Sequence, residues 1–204
     1  KLAIKYGKVG DLRPLISAEW DGNNDISSLN GDKLFSGFYI NELILKLIQK
    51  NDPCPELFET YESTLIQLCS NDFAQEAVLR LFEAKLLKEM GLFPDFISSY
   101  EGDTSSINYF ISSTDGVIAV DNKKINQQKF LLERSRKIST EAMKILCGEV
   151  FDLKYWNKVI NNKKTSTEIK SILKILLDYH LDFRELKSRK ILIDLNLFKN
   201  KKRS

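Results

Sequence analysis

Residues 72–94 read DFAQEAVLRLFEAKLLKEMGLFP, and the repeat within this stretch decides the fold class. Leu79, Phe82 and Leu86 are spaced three and four residues apart, which places them on one face of an α-helix. Gly91 and Pro94 follow the repeat, and residues of these two types commonly end a helix. A helix is therefore predicted from about Asp72 to Met90.

Two more helices are predicted upstream of this one. The first has an apolar stripe at helical spacing, formed by Tyr39, Ile40, Leu43, Ile44, Leu47 and Ile48. Asp52-Pro53 offers an N-cap and a first-turn proline to the second, whose stripe is Leu57, Tyr61, Leu65 and Leu68. Because the connections are short, the three helices are expected to pack as antiparallel neighbours.

Downstream, the sequence predicts a small β-hairpin and then more helices. The hairpin strands are Ile107–Ile111 and Val117–Val120, joined by a turn at Asp115-Gly116. Helices are predicted over Gln127–Arg136, Thr140–Gly148 and Thr165–His180, and the last helix starts at about Arg184. Thr165 and Glu168 have the spacing of a capping box. The fold class is therefore mainly α.

The first 20 residues have the pattern of β-strands instead of helices. Leu2–Tyr6 and Leu12–Ser17 read as two short strands. Two strands alone are marginally stable, so we expect them to be the tail of a β-domain whose other strands precede Lys1. The predicted organisation is a sheet remnant over residues 1–20, a linker over 21–32 rich in Asp, Asn, Gly and Ser, and a helical domain over 33–204.

Motifs for catalysis or metal binding are missing from the sequence. It has one histidine, His180, no glycine-rich phosphate loop, and three widely spaced cysteines. No secretory signal and no apolar run long enough to span a bilayer are visible. We therefore expect a cytoplasmic protein that is not an enzyme and has no metal or other cofactor.

Charge is distributed unevenly along the chain. Residues 1–119 have 10 basic and 18 acidic side chains, whereas residues 120–204 have 21 basic and 10 acidic ones. A half-chain this basic is a candidate surface for nucleic acid, because neutralised phosphates release condensed counterions. The alternative is a lysine-rich surface that is only solvated.

Four segments, taken in order, resemble the DNA repair protein family RecO. They are FSGFYINELILKLI (Phe35–Ile48), DPCPELFETYESTLIQL (Asp52–Leu68), LRLFEAKLLKEMGLFPDF (Leu79–Phe96) and LLDYHLDFRELKSRKIL (Leu176–Leu192). The opening LAIKYGKVGDLRPLISAEW is similar to the end of the family's N-terminal OB-fold. Residues 122–164 match the family poorly.

The resemblance implies a recombination mediator associated with the nucleoid. RecO proteins bind single- and double-stranded DNA and the C-terminal tail of the single-strand-binding protein SSB, and with RecR they help to load RecA. Some members have a four-cysteine zinc site after the segment that corresponds to Leu79–Met90. Phe93–Phe110 contains no cysteine, so a zinc-free member is expected.

For SSB, the resemblance points to Arg80 with Leu79, Phe82 and Leu86. An arginine beside an apolar pocket suits an acidic tail that ends in Phe, because the guanidinium pairs with a carboxylate while its stem packs on apolar groups. The alternatives are a surface pair of Arg80 with Glu76 or Glu83, and a core role for Phe82. If Arg80 serves only the tail, its removal should hardly change stability.

For DNA, the candidates are Arg184, Lys187, Arg189 and Lys190, in a segment (184–204) with eight basic and two acidic residues. Arg189 could instead be held in an internal ion pair, and Ser188 could cap a helix. Tyr109, Phe110, Tyr155 and Trp156 are candidates for stacking on bases. The rival function is a helical protein-interaction module without a nucleic-acid role, and a hydrolase or nuclease would lack the residues it needs.

Overall fold

A computed structural model describes residues 2–4, 15–19, 29–50, 52–93, 108–113, 116–120, 135–148, 152–182 and 185–201. Its helices are α1 (Gly31–Leu47), α2 (Pro55–Cys69), α3 (Gln75–Glu89), α4 (Thr140–Cys147), α5 (Leu153–Ile160), α6 (Lys163–His180) and α7 (Lys187–Lys201). Its strands are β1 (Leu2–Ile4), β2 (Leu15–Ala18), β3 (Asn108–Ser113), β4 (Gly116–Val120) and β5 (Ser135–Ile138). The mainly α fold is confirmed.

Helix α3 lies at the centre of the bundle. Ten of its fifteen residues are buried, and it contacts α1, α2, α5 and α6. A helix surrounded in this way buries more than one face, which explains why its sequence is apolar beyond a single stripe. Gly91 follows the helix with a φ of 65°, the left-handed conformation that the predicted glycine stop requires.

The predicted hairpin is present, but its turn is displaced. Ser113 pairs with Gly116, so Gly116 begins strand β4 instead of lying in the turn. Strand β5 pairs antiparallel with the other side of β3, giving the order β4-β3-β5. Helix α6 packs on this sheet. The helix predicted over Gln127–Arg136 is wrong at its end, since Ser135 and Arg136 pair with β3, and its earlier residues lie outside the described ones.

The predicted N-terminal caps of two helices are wrong. Helix α2 begins at Pro55, so the second proline of the pair, not Pro53, occupies the first turn. Helix α6 begins at Lys163 with Asn162 as its N-cap, and the Asn162 side chain accepts hydrogen bonds from two backbone N–H groups. Glu168 does not form a capping box, because its carboxylate accepts hydrogen bonds from the backbone and hydroxyl of Ser139, at the start of α4.

Helix α5 was not predicted. Asp152 caps it, accepting a hydrogen bond from the backbone of Tyr155, and Trp156 in its first turns is completely buried. Trp156 is therefore a core residue, so it is not available to stack on a base. Tyr155 is exposed, whereas the side chains of the β3 candidates Tyr109 and Phe110 lie outside the described residues.

The first strands form a separate two-stranded sheet. β1 and β2 pair antiparallel, with Leu2 opposite Ala18, as the sequence predicts. The connecting turn lies outside the described residues. The predicted linker is shorter than expected at its end, because α1 already begins at Gly31.

Helix α7 is fixed to α1 by the carboxylate of Glu42. Its two oxygens accept hydrogen bonds from the backbone N–H groups of Lys187 (3.1 Å) and Ser188 (2.9 Å) and from the Ser188 hydroxyl (2.6 Å). Lys46 forms an ion pair with the same carboxylate at 3.1 Å. A carboxylate at a helix N-terminus satisfies unpaired backbone donors and complements the helix dipole.

Glu42→Gln is expected to reduce the sensitivity of the fold to acid. Partial burial acts to raise the pKa of Glu42, but the hydrogen bonds from Ser188, Lys46 and Lys187 outweigh it and lower the pKa from 4.5 to about 2. Since the folded value is the lower one, the contribution to the free energy of unfolding is complete above about pH 4.5 and is lost as the pH falls through about 2. Urea unfolding at about pH 6 and about pH 3 measures this difference.

The matched control is Glu59→Gln, on the exposed side of α2. Wild type and this control should lose the same stability between the two pH values, and Glu42→Gln should lose less. Equal losses in all three proteins would contradict a capping role for Glu42.

Candidate functional site

A cavity of about 520 Å³ lies where α1, α3, α6 and α7 meet. We call it the basic cavity, because cationic side chains from three helices line it: Arg80 of α3, Lys170 and Lys174 of α6, and Arg189 of α7. Two carboxylates, those of Asp32 and Glu76, also line it, and its apolar lining comes from Leu79, Leu192 and Ile193. The cavity therefore brings together Arg80 and Arg189, which the sequence analysis assigned to two different partners.

Arg80 is held from inside the protein. Its guanidinium Nη1 donates a 2.6 Å hydrogen bond to the carboxylate Oε2 of Glu83, one turn further along α3. Glu83 is completely buried, and Arg80 is only 9% exposed. The expected Arg80–Glu83 pair is thus present, but it is a buried pair instead of a surface pair.

Glu83 joins Arg80 to a wider network. Its other carboxylate oxygen accepts a 2.5 Å hydrogen bond from the Tyr39 hydroxyl. Arg189 donates to the same hydroxyl at 3.3 Å and to Asp178 at 2.7 Å. Burial raises the pKa of Tyr39 above its ordinary range, and the nearby charge of Glu83 raises it further, so Tyr39 stays protonated and remains a donor.

One buried hydrogen-bond donor of Arg80 has no acceptor among the described residues. Its Nε is buried and, among the described residues, has no acceptor within hydrogen-bond distance. A buried donor without a partner is unfavourable by about 1–3 kcal/mol. Arg80 lines the cavity, and its positive charge attracts an anion that enters. The basic cavity can therefore bind an anionic group on Arg80 and apolar groups on Leu79, Leu192 and Ile193.

The other residues predicted for the SSB tail are placed differently. Leu79 lines the basic cavity, but Phe82 and Leu86 are at most 1% exposed and belong to the core. The alternative of a core role for Phe82 is the one that the geometry supports. A pattern of apolar residues cannot distinguish these cases, because the same helix face supplies both the core and the cavity wall.

The residues predicted for DNA binding also lie in different environments. Lys187 and Lys190 are exposed at the start of α7, while Arg189 is held by Asp178 and its guanidinium lies 5.7 Å from the centre of the Tyr39 ring. The geometry thus favours the internal alternative for Arg189, and Ser188 is bound to Glu42. Arg184 lies outside the described residues.

Sequence reasoning missed the lysines of α6. Lys163, Lys170 and Lys174 are exposed, and their spacing of seven and four residues places them along one face of the helix. Lys170 forms an exposed ion pair with Glu76 at 3.5 Å. The helical spacing of these three lysines is the signal in the sequence that could have indicated them.

Two kinds of feature are not found in the part of the chain that the structure describes. No group of three or more His, Cys, Asp and Glu residues is placed to hold a metal ion. No described helix is both long enough and apolar enough to cross a membrane.

Comparison with known proteins places the chain among DNA repair proteins. The family model "Recombination protein O C terminal" matches residues 28–190. The DNA repair protein RecO of Polaromonas naphthalenivorans is 29% identical over 198 residues, covering 95% of this chain and 75% of the relative. The protein of the same name from Ralstonia nicotianae is 28% identical over 194 residues, covering 95% of this chain and 65% of the relative.

Arg80→Ala is expected to lower the free energy of unfolding by about 3–5 kcal/mol, because it leaves the buried Glu83 carboxylate without its cation. This replaces the expectation that Arg80 can be removed without loss of stability. Lys170→Ala is the matched control, since it removes an exposed ion pair with Glu76 and should change stability by under about 1 kcal/mol. Chemical denaturation measures both values, and similar stabilities for the two variants would show that the buried pair contributes little.

Proposed function

We propose, from the premise that this chain belongs to the RecO family of DNA repair proteins, that it acts without catalysis by binding DNA and the C-terminal tail of SSB. The basic cavity carries the proposal for SSB, and the exposed lysines of α6 and α7 carry the proposal for DNA. The two surfaces share Lys170 and Lys174 of α6, which suits a protein that meets SSB on single-stranded DNA.

The chemistry of the basic cavity supports the tail as its ligand. An acidic peptide that ends in Phe presents carboxylates and one aromatic ring. Lys170 and Lys174 are exposed and line the cavity, where they can meet the acidic side chains, and the positive charge of Arg80, which also lines it, suits the terminal carboxylate. Leu192 and Ile193 provide apolar surface for the ring.

The distribution of charge supports DNA as the second ligand. Lys163, Lys170 and Lys174 on α6 and Lys187 and Lys190 on α7 are exposed, within the half-chain that has 21 basic and 10 acidic residues. Exposed lysines contact phosphates without reading bases, so binding would be independent of sequence and sensitive to salt.

The rest of the proposal concerns the N-terminal strands and the partner proteins RecR and RecA. We propose that β1 and β2 are the last strands of an OB-fold and that the chain works with RecR to load RecA, as the family resemblance implies. The similarity of the relatives extends over 95% of the chain.

The SSB proposal predicts a specific effect of two lysines. Lys170→Gln/Lys174→Gln should weaken the binding of an acidic, Phe-terminated peptide by about fivefold or more, because two cations beside the cavity become neutral. Lys163→Gln/Lys164→Gln removes the same charge from the first turn of the same helix and should bind nearly as wild type. Fluorescence anisotropy with a labelled peptide measures both, beside a peptide without the terminal Phe. Equal weakening by the two double variants would mean that only overall charge matters.

The DNA proposal predicts a change in salt dependence. Lys187→Gln/Lys190→Gln should weaken binding to single- and double-stranded DNA, and the slope of log affinity against log salt should fall by about one for each phosphate that is no longer neutralised. Lys50→Gln/Lys88→Gln, outside the basic half, is the charge-matched control. If affinity and slope survive in the folded variant, these residues do not contact DNA. If wild type does not bind DNA at all, the rival protein-interaction module is favoured.

A further inference from the structure

A groove between α1 and α2 exposes large apolar side chains on the surface. Leu45 of α1 is 81% exposed and Phe58 of α2 is 64% exposed. They border a cavity of about 500 Å³ whose walls include Ile44, Ile48 and Tyr61. Single exposed apolar residues are ordinary on a protein surface, but a contiguous group around a groove marks an interaction site.

The groove continues into a second cavity of different chemistry. This cavity, of about 620 Å³, shares Ile48, Asp52, Cys54 and Leu57 with the first. The carboxylates of Asp52, Glu56 and Glu89 line it. Lys46 and His180 also line it, but Lys46 is already paired with Glu42 at 3.1 Å and donates to the backbone of Glu185. The Nε2 of His180 lies 3.1 Å from the backbone oxygen of Leu92. We call the two cavities together the α1/α2 groove, with an apolar end and an acidic end.

The sequence around the groove is acidic over a long stretch. Residues 51–71 contain four acidic side chains and no lysine, arginine or histidine (Asp52, Glu56, Glu59 and Glu62). On α2, Glu56, Glu59 and Glu62 are exposed beside Phe58. This field repels phosphates and acidic peptides, so neither DNA nor an acidic tail suits the groove.

We propose that the α1/α2 groove binds a basic amphipathic helix of a partner protein. Such a helix would place large apolar side chains on Leu45, Phe58 and Tyr61, and lysine or arginine side chains beside Asp52, Glu56 and Glu89. Helix-in-groove recognition combines apolar anchors with charges of the opposite sign in this way. The surface is separate from the basic cavity and selects partners of the opposite charge.

Cys54 allows binding to be located within the molecule. It is half-buried and lines both ends of the groove, while Cys69, at the end of α2, is also half-buried but lines neither. A ligand in the groove should therefore slow the reaction of Cys54 with a thiol reagent and leave Cys69 unaffected. Mass spectrometry of proteolytic peptides distinguishes the two sites in one sample.

The probe is a designed peptide of about 18 residues, long enough to be helical, with leucines on one face and lysines on the other. The control peptide has glutamate in place of every lysine. The basic peptide is expected to bind at least about tenfold more tightly than the acidic one and to protect Cys54 selectively. Fluorescence anisotropy with the full chain gives the affinities.

Two variants test the apolar end. Leu45→Ala and Phe58→Ala change exposed side chains and should each weaken binding of the basic peptide by about tenfold, with unchanged circular dichroism. Ile191→Ala is the matched control: Ile191 is 43% exposed on α7 and lines neither end of the groove. Glu59→Lys/Glu62→Lys should weaken the binding of the basic peptide and strengthen the binding of the acidic peptide.

Several outcomes would overturn the proposal. If neither peptide binds, or if both bind equally well, the groove does not select a basic helix by its charge. Binding that protects Cys69 as much as Cys54 would place the ligand elsewhere. Sedimentation velocity tests whether a second copy of this chain occupies the groove instead. A wild-type dimer that dissociates in Leu45→Ala or Phe58→Ala would show that it does.

Discussion

The buried carboxylate of Glu83 constrains the whole bundle. A charge with no exposure to solvent is tolerated only when it is paired and hydrogen-bonded, and here Arg80 and Tyr39 each donate to one of its oxygens. Tyr39 lies on α1 and also accepts from Arg189 of α7. The requirement of one side chain on α3 therefore fixes the spacing of three helices around the basic cavity.

The same constraint would hold Arg80 in place in the proposed SSB site. Its Nη1 is committed to Glu83, so the guanidinium plane is held in place while Nε remains without an acceptor among the described residues. A preorganised donor loses little conformational freedom on binding, which favours affinity. The ion pair that stabilises the fold thus also orients the group that would meet an anion.

A second carboxylate, Glu42, fixes α7 at its first turn. It satisfies the backbone N–H groups of Lys187 and Ser188, and it leaves the side chain of Lys187 exposed to solvent. Glu42 therefore acts directly on the first turn of α7, and Glu83 acts on the same turn through Tyr39 and Arg189. Polar contacts between helices fix register and orientation more than apolar contacts do, because their geometry is restrictive.

The sequence predicts the helices well where a local signal is strong. The stripe of α1 and the stop at Gly91 depend on neighbouring residues only, and both are confirmed. Strand β5 and the role of Glu168 depend on partners distant in sequence, Phe110 opposite Arg136 and Ser139 beside Glu168, and local patterns contain no information about them. The site follows the same rule: the sequence singles out Arg80 and Arg189, but only the packing shows that they share a cavity and that Phe82 lies behind it.

Helix α1 separates two surfaces of opposite charge. Through Tyr39 it contributes to the basic cavity, and through Ile44 and Leu45 to the α1/α2 groove. On the cavity side, Tyr39 of α1 donates to Glu83 of α3, and Glu42 of α1 accepts from the backbone of Lys187 of α7. Coupling between two sites requires an element that both ligands bias, and α1, which contacts α2, α3 and α7, lines both of the proposed sites.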